Sequence, residues 1–259
     1  MKKKSKIKIS FLGTGTSQGI PIIGSTHPVC LSTDKRDKRL RVSILLEWDE
    51  NCFVIDCGPD FRYQMLRAQV SNLNGVLFTH EHADHVAGLD DIRPFVFKIG
   101  AMPIFGFKRV LDDLKKRFAY IFETKNRYPG APKVVVNEIE LSPFELGGKT
   151  IIPIEVMHGK LSVCGYRIEN FAYLTDVKTI SEIEKDKLKG LDVLVLSALR
   201  IEPHYSHLNL EEALHLIEEL KPQKAYLSHI SHKLGFHAEV EKQLPKNVFL
   251  AYDELMIEV

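Results

Sequence analysis

The most chemically informative stretch of this sequence is a cluster of four metal-ligand-type residues directly after the apolar run 76–78. The four are His80, His82, Asp84 and His85. Histidine offers a neutral imidazole nitrogen and aspartate a hard anionic oxygen, a mixture that suits divalent Zn, Mn or Fe. Because side chains alternate along a strand, the first three are predicted to face one way, and a turn near Ala83 then separates the last two. The spacing predicts one short loop serving two neighbouring ions, rather than a polar surface loop.

Further ligand-type residues follow apolar runs elsewhere in the chain. They are Asp56, His158, Asp176, His207 and His229. A rigid scaffold presents its loops at strand ends, so this recurrence predicts one shared site. Taken alone, His158 is also compatible with a partly exposed histidine, and Asp176 with the N-cap of a helix that we expect over 177–184. Asp56 is predicted to orient one of the imidazoles.

The N-terminal part holds a glycine-rich loop and a long segment without periodicity. The loop 13–19 lacks a phosphate-binding Lys-Ser/Thr pair, so we interpret it as a tight turn beside the active site. The excursion 20–41 is long for a loop, which is typical of a functional or separately anchored segment. Within it, His27 and Cys30 are either two ligands of a structural zinc ion or a surface histidine and an ordinary thiol.

The elements that must position these residues are apolar strands and a few amphipathic helices. Strands are predicted over 7–12, 42–46, 52–55, 150–156, 162–168, 171–174, 191–196 and 225–227. The clearest amphipathic helix is 210–220, with Asn209 as its cap. A helix that starts at Val86 is expected to be interrupted by Pro94. Strand-rich stretches in both halves indicate two sheets.

Composition is that of an ordinary globular protein. Of 259 residues, 44% are hydrophobic and 27% are charged; the length allows a sizeable core and is compatible with one large domain or with two. The 35 basic and 34 acidic residues leave a net charge of +1, which gives no global attraction to nucleic acid or anionic membranes. The basic start 1–6 is not followed by an apolar stretch, and no run of about 18 apolar residues exists. We therefore expect neither a signal peptide nor a membrane span.

The cysteines indicate the compartment. Cys30, Cys52, Cys57 and Cys164 are scattered, without the spacing of a disulfide framework. We therefore expect free thiols in a reducing cytoplasm, with the last three as small core residues.

With the motif H-x-H-x-D-H at 80–85 followed by His158, Asp176 and His229, the chain resembles the metallo-β-lactamase-fold hydrolases. The resemblance implies one α+β domain over 1–259, a four-layer αββα sandwich of two mixed β-sheets. Within that superfamily, the sequence looks most like phosphodiesterases related to the phosphoribosyl 1,2-cyclic phosphate phosphodiesterase. That likeness rests on the loop 13–17, the Cys/His excursion and the ending 227–232.

The resemblance also implies a role for each residue. One ion would be held by His80, His82 and His158 and a second by Asp84, His85 and His229, with Asp176 bridging both. Such a pair, Zn or Mn, binds a phosphodiester oxygen and lowers the pKa of a bound water, so that a metal-bound hydroxide attacks. Asp84 accordingly counts among the catalytic residues. His207 matches the family's general acid for the leaving oxygen, with His204 as the alternative.

Relatives with an accessory zinc site build it from three cysteines in the excursion and a histidine after the last catalytic ligand. The corresponding residues are Ser25, His27, Cys30 and His232. Because serine is a poor donor, a structural zinc would depend on His27, Cys30 and His232 with water. The resemblance further implies a small phosphorylated substrate and a homodimer, without a membrane or nucleic-acid partner.

Other functions share these ligands. Thioester, lactone or β-lactam hydrolysis uses the same ions, but dedicated β-lactamases often lack the aspartate that stands here as Asp84. An RNA 3′-processing nuclease would want a basic protruding arm, whereas 107–127 carries few cations and is predicted to be helical. A non-catalytic scaffold would be expected to lose ligands, yet all seven positions hold competent residues. A dinuclear phosphodiesterase is therefore the leading hypothesis.

Overall fold

Two mixed β-sheets packed face to face form the centre of the protein in the computed structural model, which describes residues 5–259. The first sheet is built from β1 Lys8–Gly13, β2 Ser43–Trp48, β3 Asn51–Ile55, β4 Gly75–Leu77, β5 Met102–Gly106, β6 Val134–Glu138 and β15 Met256–Glu258. Its strand order is β15-β1-β2-β3-β4-β5-β6. The expectation of no signal peptide at the basic start falls largely on residues 1–4, outside the described residues.

The second sheet brings together strands from the later part of the chain. Its strands are β7 Phe144–Leu146, β8 Lys149–His158, β9 Leu161–Ile168, β10 Phe171–Leu174, β11 Thr179–Ile180, β12 Val193–Ser197, β13 Lys224–Ser228 and β14 Val248–Leu250. The order is β11-β8-β9-β10-β12-β13-β14, and β7 pairs with β8. Parallel pairing joins β10, β12, β13 and β14, while β8, β9 and β10 are antiparallel.

Helices cover the outer faces of both sheets. They are α1 Pro28–Leu31, α2 Phe61–Arg67, α3 Ala83–Val86, α4 Arg93–Ile99, α5 Lys108–Arg117, α6 Ala119–Phe122, α7 Glu182–Asp186, α8 Leu210–Leu220 and α9 His237–Glu241, with 3-10 turns at Lys35–Asp37, Leu89–Ile92 and His232–Leu234. Phe61 and Leu111 pack with the first sheet, and Ile217 and Val240 with the second. Between the sheets lies a third cluster around Phe11. These four layers confirm the predicted αββα sandwich.

Strand β12 shows how a continuous apolar run supports two layers. Val193 and Val195 join the core between the sheets, whereas Leu194 and Leu196 join the core under the helices. Because successive side chains point to opposite faces, a strand covered on both sides needs every residue apolar. The parallel strands β10, β12 and β13 then end at one edge of the sandwich, where the loops that follow them meet.

The amphipathic helix predicted over 210–220 is confirmed as α8, with the predicted cap. Oδ1 of Asn209 accepts a hydrogen bond from the N–H of Glu212 at 2.9 Å, and Oε2 of Glu212 accepts from the N–H of Asn209 at 3.0 Å. This reciprocal capping box satisfies two N–H groups that the first turn leaves unpaired. It fixes the start of α8 directly after the loop that carries His204 and His207.

Two other helix predictions are wrong. Pro94 does not interrupt a helix but lies in the first turn of α4, where a missing N–H costs nothing. The segment 177–184 is not one helix, because Thr179 and Ile180 pair with β8 and α7 begins only after Ser181. Asp176 is therefore not an N-cap.

The excursion 20–41 is anchored to itself and to the sandwich. The N–H groups of Ile20 and Arg39 each donate to the other residue's carbonyl oxygen at 2.8 Å, which closes the segment at its base. Ile20, Val29 and Cys30 form a small buried cluster of their own. The expectation of a separately anchored segment is thus confirmed.

The four thiols are unpaired, as predicted. Cys57 and Cys164 are buried core residues, whereas Cys52 is half-buried. Over residues 5–259, none of the helices is both long and apolar enough to cross a membrane.

Candidate metal centre

Strand ends of both sheets deliver the predicted ligands to one edge of the sandwich. Asp56 follows β3, the motif 80–85 follows β4, His158 ends β8, Asp176 follows β10 and His229 follows β13. Asp56, Asp176 and His229 have positive φ angles of 63°, 55° and 55°. This conformation is uncommon for residues other than glycine, and such positions cluster at functional sites. Three strand ends thus turn sharply where their side chains enter the site.

The motif is not an extension of β4. The strand ends at Leu77, and α3 begins at Ala83, so His80 and His82 lie in a loop while Asp84 and His85 lie in a helical turn. The expectation that strand alternation aligns the first three ligands is therefore wrong. The turn expected near Ala83 is present, and it separates the last two ligands from the first two.

Asp56 anchors a buried hydrogen-bond network beneath the motif. Its carboxylate accepts from the N–H and the hydroxyl of Thr79, each at 2.8 Å, and from Nδ1 of His85 at 2.7 Å. The Thr79 hydroxyl donates to Asp56 and lies 3.0 Å from Nδ1 of His80. Because its own hydrogen is already used, it accepts a hydrogen bond from the N–H at that nitrogen. Nδ1 is thus protonated in both rings, so Nε2 is the atom of His80 and of His85 that can bind a metal ion when the imidazole is neutral. Asp56 therefore contacts an imidazole, as predicted, and fixes two tautomers.

The four residues predicted for the second ion and the bridge converge. Nε2 of His85 lies 3.3 Å from Oδ2 of Asp84 and 3.2 Å from Oδ2 of Asp176. Nε2 of His229 lies 3.4 Å from the same Asp176 oxygen and 3.9 Å from Oδ2 of Asp84. Two carboxylates this close together are stabilised by a positive charge between them, whether a proton on Nε2 of His85 or a bound cation. This geometry suits a positive ion shared by the four side chains.

The histidines predicted for the first ion adjoin one another. The ring centroids of His80 and His82 are 4.5 Å apart, those of His82 and His158 5.3 Å, and those of His80 and His158 6.0 Å. Nδ1 of His158 donates to the carbonyl oxygen of Ser206 at 2.8 Å. Since a carbonyl only accepts, Nδ1 carries the proton and Nε2 is left as the ligand atom.

Ligand atoms within 4.8 Å of one another fall into three overlapping sets. The sets are His80, His85 and Asp176; Asp84, His85 and His229; and His158, Asp176 and His207. Because Asp176 and His85 each belong to two sets, the donors form one continuous cluster. His207, which the sequence predicted at the shared site but not as a ligand, adjoins ligand atoms directly, while His82 contacts the cluster through its ring.

The donors present fit divalent metal ions. Among residues 5–259, Nε2 of His80, of His85 and of His229 is buried without a hydrogen-bond partner. An unpaired buried polar atom costs about 1–3 kcal/mol, so three together point to a missing partner. Burial lowers the pKa of His80 well below its ordinary value and also lowers that of His82. Neutral imidazole is the form that binds a metal.

Both aspartates stay ionised despite their burial. Burial alone would raise the pKa of Asp176, but His229 and His85 hold it well below its usual range. Burial would likewise raise the pKa of Asp84, which His85 and His229 keep low. Conversely, burial would lower the pKa of His85, and the surrounding carboxylates raise it well above its ordinary value. The centre therefore pairs two ionised carboxylates with a positive charge, which a divalent ion can supply in place of the proton on His85.

His207 and His204 lie on the loop after β12. Nδ1 of His207 is 3.7 Å from Oδ1 of Asp176, and its ring centroid is 4.3 Å from that of His158. Burial is the main cause that lowers the pKa of His207 to about 3. The ring of His204 is 5.1 Å from that of His207, and its Nδ1 accepts from the N–H of Ser206 at 3.3 Å. Of the two, His207 is the one that contacts the ligand cluster.

A cavity of about 460 Å³ opens onto this cluster. Asp84, Asp176 and His207 line it together with the cationic Arg200 and Lys233. The loop 13–19 contributes to its wall, as expected of a turn beside the site. The volume is that of a pocket for a small ligand.

The predicted accessory zinc residues are only partly brought together. The rings of His27 and His232 are 4.8 Å apart, and Oγ of Ser25 accepts from the N–H of His27 at 3.2 Å. Cys30 lies buried in the apolar cluster of the excursion. No set of three close ligand atoms in the described part of the chain includes these residues. The structural zinc therefore stays a prediction.

Two residues that hold the ligands were missed by the sequence reasoning. Thr79 directly precedes the motif 80–85, so its position beside His80 was an available signal. Ser206 acts through its carbonyl oxygen, which every residue has, and no sequence pattern could have found it.

Comparison with known proteins shows which family the chain belongs to. A family model described as a β-lactamase superfamily domain matches residues 51–230. A crystal structure described as a new diphosphatase from the PhnP family has a TM-score of 0.92 and 38% identity, and covers 98% of this chain and 97% of that one.

Two curated relatives match the chain over part of their own length. An octanoyltransferase from Porphyromonas gingivalis is 39% identical over 94% of this chain, which spans only 50% of that protein. A ribonuclease Z from Listeria welshimeri is 29% identical over 76% of the chain and 55% of its own length. The chain thus spans about half the length of each. With its αββα sandwich and its cluster of histidines and aspartates at the strand ends, the chain belongs to the metallo-β-lactamase superfamily.

Proposed function

We propose that the protein is a dinuclear metal-dependent hydrolase that cleaves a small, in particular a cyclic, phosphodiester. The observation that carries this proposal is the continuous cluster of buried histidine nitrogens around the ionised carboxylates of Asp84 and Asp176. The similarity to a PhnP-family diphosphatase supports phosphorus as the reacting centre. The ions, Zn or Mn, would be held by the seven predicted ligands and would polarise the phosphoryl oxygen and activate water.

The chain's own residues prepare this chemistry. The carboxylate of Asp56 and the hydroxyl of Thr79 hold the protons of His85 and His80 on Nδ1, so that both Nε2 atoms stay free. The Ser206 carbonyl does the same for His158. His207 lines the cavity beside Asp176 and would donate a proton to the leaving oxygen once a bound anionic substrate raises its pKa, which burial lowers to about 3 in the free protein.

The cavity favours a small anionic substrate. Its volume of about 460 Å³ accommodates a ligand of a few rings or fewer. Arg200 and Lys233 add positive charge to its wall, opposite in sign to a phosphate. Substrate selection would therefore depend on the loop after β12 and on the segment around His232, rather than on the ligand cluster.

Helix α5, which carries most of the basic residues of the segment 107–127, does not favour RNA binding. Most cations of α5 are neutralised by neighbours: Lys108 and Lys115 pair with Asp112, Arg117 with Asp113, and Arg109 with Glu81. Paired cations release few counterions on nucleic acid, so little affinity would be gained. The name octanoyltransferase describes a protein of which this chain spans half, and acyl transfer is tested below as a competing reaction.

The test is a substrate panel on protein freed of metal by a chelator and reconstituted with Zn or Mn. Bis-p-nitrophenyl phosphate and cyclic nucleoside and sugar phosphates are compared with a pre-tRNA, a lactone and an octanoyl thioester. We expect metal-dependent turnover of phosphodiesters that Asp84→Ala abolishes and the exposed control Asp186→Ala retains. Turnover confined to the thioester, the lactone or the RNA would contradict the proposal. The predicted homodimer is checked separately by light scattering.

A further inference from the structure

His229 differs from the other ligand histidines in how its ring is held. His80, His85 and His158 each have Nδ1 hydrogen-bonded to a neighbouring oxygen. In contrast, both ring nitrogens of His229 are buried without a hydrogen-bond partner among residues 5–259. Its ring stacks against those of His85 and His207, but no hydrogen bond within that range fixes Nδ1, so the position of its backbone must direct the ring.

That backbone is clamped by the glycine-rich loop 13–19. The N–H of Ile230 donates to the carbonyl oxygen of Thr14 at 2.9 Å, and the N–H of Thr16 donates to the carbonyl oxygen of Ile230 at 3.1 Å. Gly15 and Ile230 form a parallel bridge, and Ile230 is buried. His229 itself has a φ of 55°, a conformation that its neighbours must maintain. The loop therefore holds the residue that directly follows this ligand.

The loop is in turn fixed by a buried polar cluster. The Thr14 hydroxyl donates to Oδ1 of Asp253 at 2.8 Å and accepts from Nη1 of Arg39 at 2.8 Å. Nη1 of Arg39 also donates to the carbonyl oxygen of Ala251 at 2.5 Å, and the N–H of Leu40 donates to Oδ2 of Asp253 at 2.9 Å. Thr14, Arg39 and Asp253 are all buried. The Thr14 hydroxyl thus links the loop 13–19 to the excursion 20–41, through Arg39, and to the turn that contains Asp253.

Such a cluster is costly if it serves stability alone. Desolvating a guanidinium and a carboxylate offsets most of their mutual attraction, and apolar residues of similar volume often stabilise a fold as well or better. The cluster instead fixes the position of the loop 13–19, because each of its hydrogen bonds can form only when the loop lies in one place. Its three side chains do not line the cavity, so they do not contact a substrate there.

We propose that Thr14, Arg39 and Asp253 are positioning residues for His229. Through the Thr14–Ile230 pairing they hold the strand end that presents this imidazole, and so they set the affinity for the ion shared by Asp84, His85 and His229. The proposal requires metal binding at this centre but not any particular substrate.

The test compares Thr14→Val, which removes the hydroxyl at nearly constant volume, with Thr14→Ser, which keeps it. Affinity for Zn is measured on the chelated full-length protein by competition with a chromogenic chelator, and the Co-substituted protein is followed by its visible absorption. We expect Thr14→Val to weaken one of the two ions by about 10–100-fold, the range for loss of an outer partner, and to alter the Co spectrum. Thr14→Ser should retain the wild-type Zn affinity and the wild-type Co spectrum.

A stability control separates positioning from general damage. Ile217→Ala opens a cavity in the core under α8 without removing a hydrogen bond of the clamp, and it should lower the melting temperature with both Zn affinities unchanged. If Thr14→Val does not fold, Asp253→Asn is measured in the same way. Unchanged Zn affinity in the folded variant, or equal weakening in Ile217→Ala, would overturn the proposal. Because no substrate is used, failure of the phosphodiesterase hypothesis does not affect this result.

Discussion

The carboxylate of Asp56 accepts a hydrogen bond from Nδ1 of His85 at 2.7 Å, and both side chains are fully buried. This contact fixes the tautomer that leaves Nε2 of His85 facing Asp84 and Asp176. The centre thus depends on a residue that is itself not among the predicted ligands.

Asp56→Asn should weaken metal binding while preserving volume. An amide has only one acceptor oxygen, so it cannot accept all three bonds that Thr79 and His85 now donate to the carboxylate. We expect about 10–100-fold lower Zn affinity by chelator competition. Asp192→Asn, at the opposite end of the second sheet, is the matched control. Equal affinities for the two variants would contradict the role given to Asp56.

Removing the cap of α8 should affect stability. Asn209→Ala deletes the oxygen that accepts the N–H of Glu212, and loss of such a cap costs about 1 kcal/mol. Urea denaturation followed by circular dichroism measures the free energy of unfolding. Asn209→Asp keeps the acceptor and should retain most of the stability, so the same loss in both variants would speak against the capping box.

His237 should make the fold sensitive to mild acid. Burial, followed by the nearby Arg39, lowers its pKa from 6.5 to about 4 in the folded protein. The groups that face it include Arg39, Asp37 and Glu241. Between pH 6.5 and 4 the unfolded chain binds a proton here that the folded chain does not, so stability present above this window is lost as the pH falls through it.

The full effect of this histidine amounts to about 3 kcal/mol. The free energy of unfolding is measured at intervals from pH 7 to 4 for the wild type and for His237→Gln. Other buried histidines titrate in both proteins, so the difference between the two slopes isolates this residue. Identical slopes would show that its pKa is not lowered.

Tyr205 should contribute to substrate binding rather than to chemistry. Its side chain is 84% exposed and borders the cavity beside His204. Tyr205→Ala should raise KM by about fivefold, the scale of one lost aromatic contact, with kcat unchanged. Tyr63→Ala, another exposed tyrosine outside the cavity, should alter neither. A fall in kcat alone would place Tyr205 in the catalytic step instead.

Short-range patterns predicted two sheets and the candidate ligands, whereas the four-layer sandwich was implied by the resemblance to the metallo-β-lactamase-fold hydrolases. Continuous apolar runs such as β12 mark strands buried on two faces, and polar residues after them mark the edge where loops meet. The same pattern predicted that His207 shares the site with Asp176, but not the distance of 3.7 Å between its Nδ1 and Oδ1 of Asp176. That distance depends on the path of a loop that local periodicity does not describe.

Errors arose where tertiary hydrogen bonds compete with local signals. The residues after Asp176 pair with β8 instead of continuing as a helix. Thr14 and Asp253 are 239 positions apart, so nothing in either neighbourhood indicates their contact. The prediction for Pro94 was wrong for a simpler reason. Proline disrupts the interior of a helix but is well suited to the first turn, which is where Pro94 lies.

The central claim is that two ions in the strand-end cluster are required for phosphodiester hydrolysis. Chelated protein is titrated with Zn or Mn while bound metal and hydrolysis of bis-p-nitrophenyl phosphate are followed together. The account predicts that about two ions bind per chain and that activity reaches its plateau at the second equivalent. Activity that survives complete removal of metal, or a protein that binds no ion after reconstitution, would contradict it.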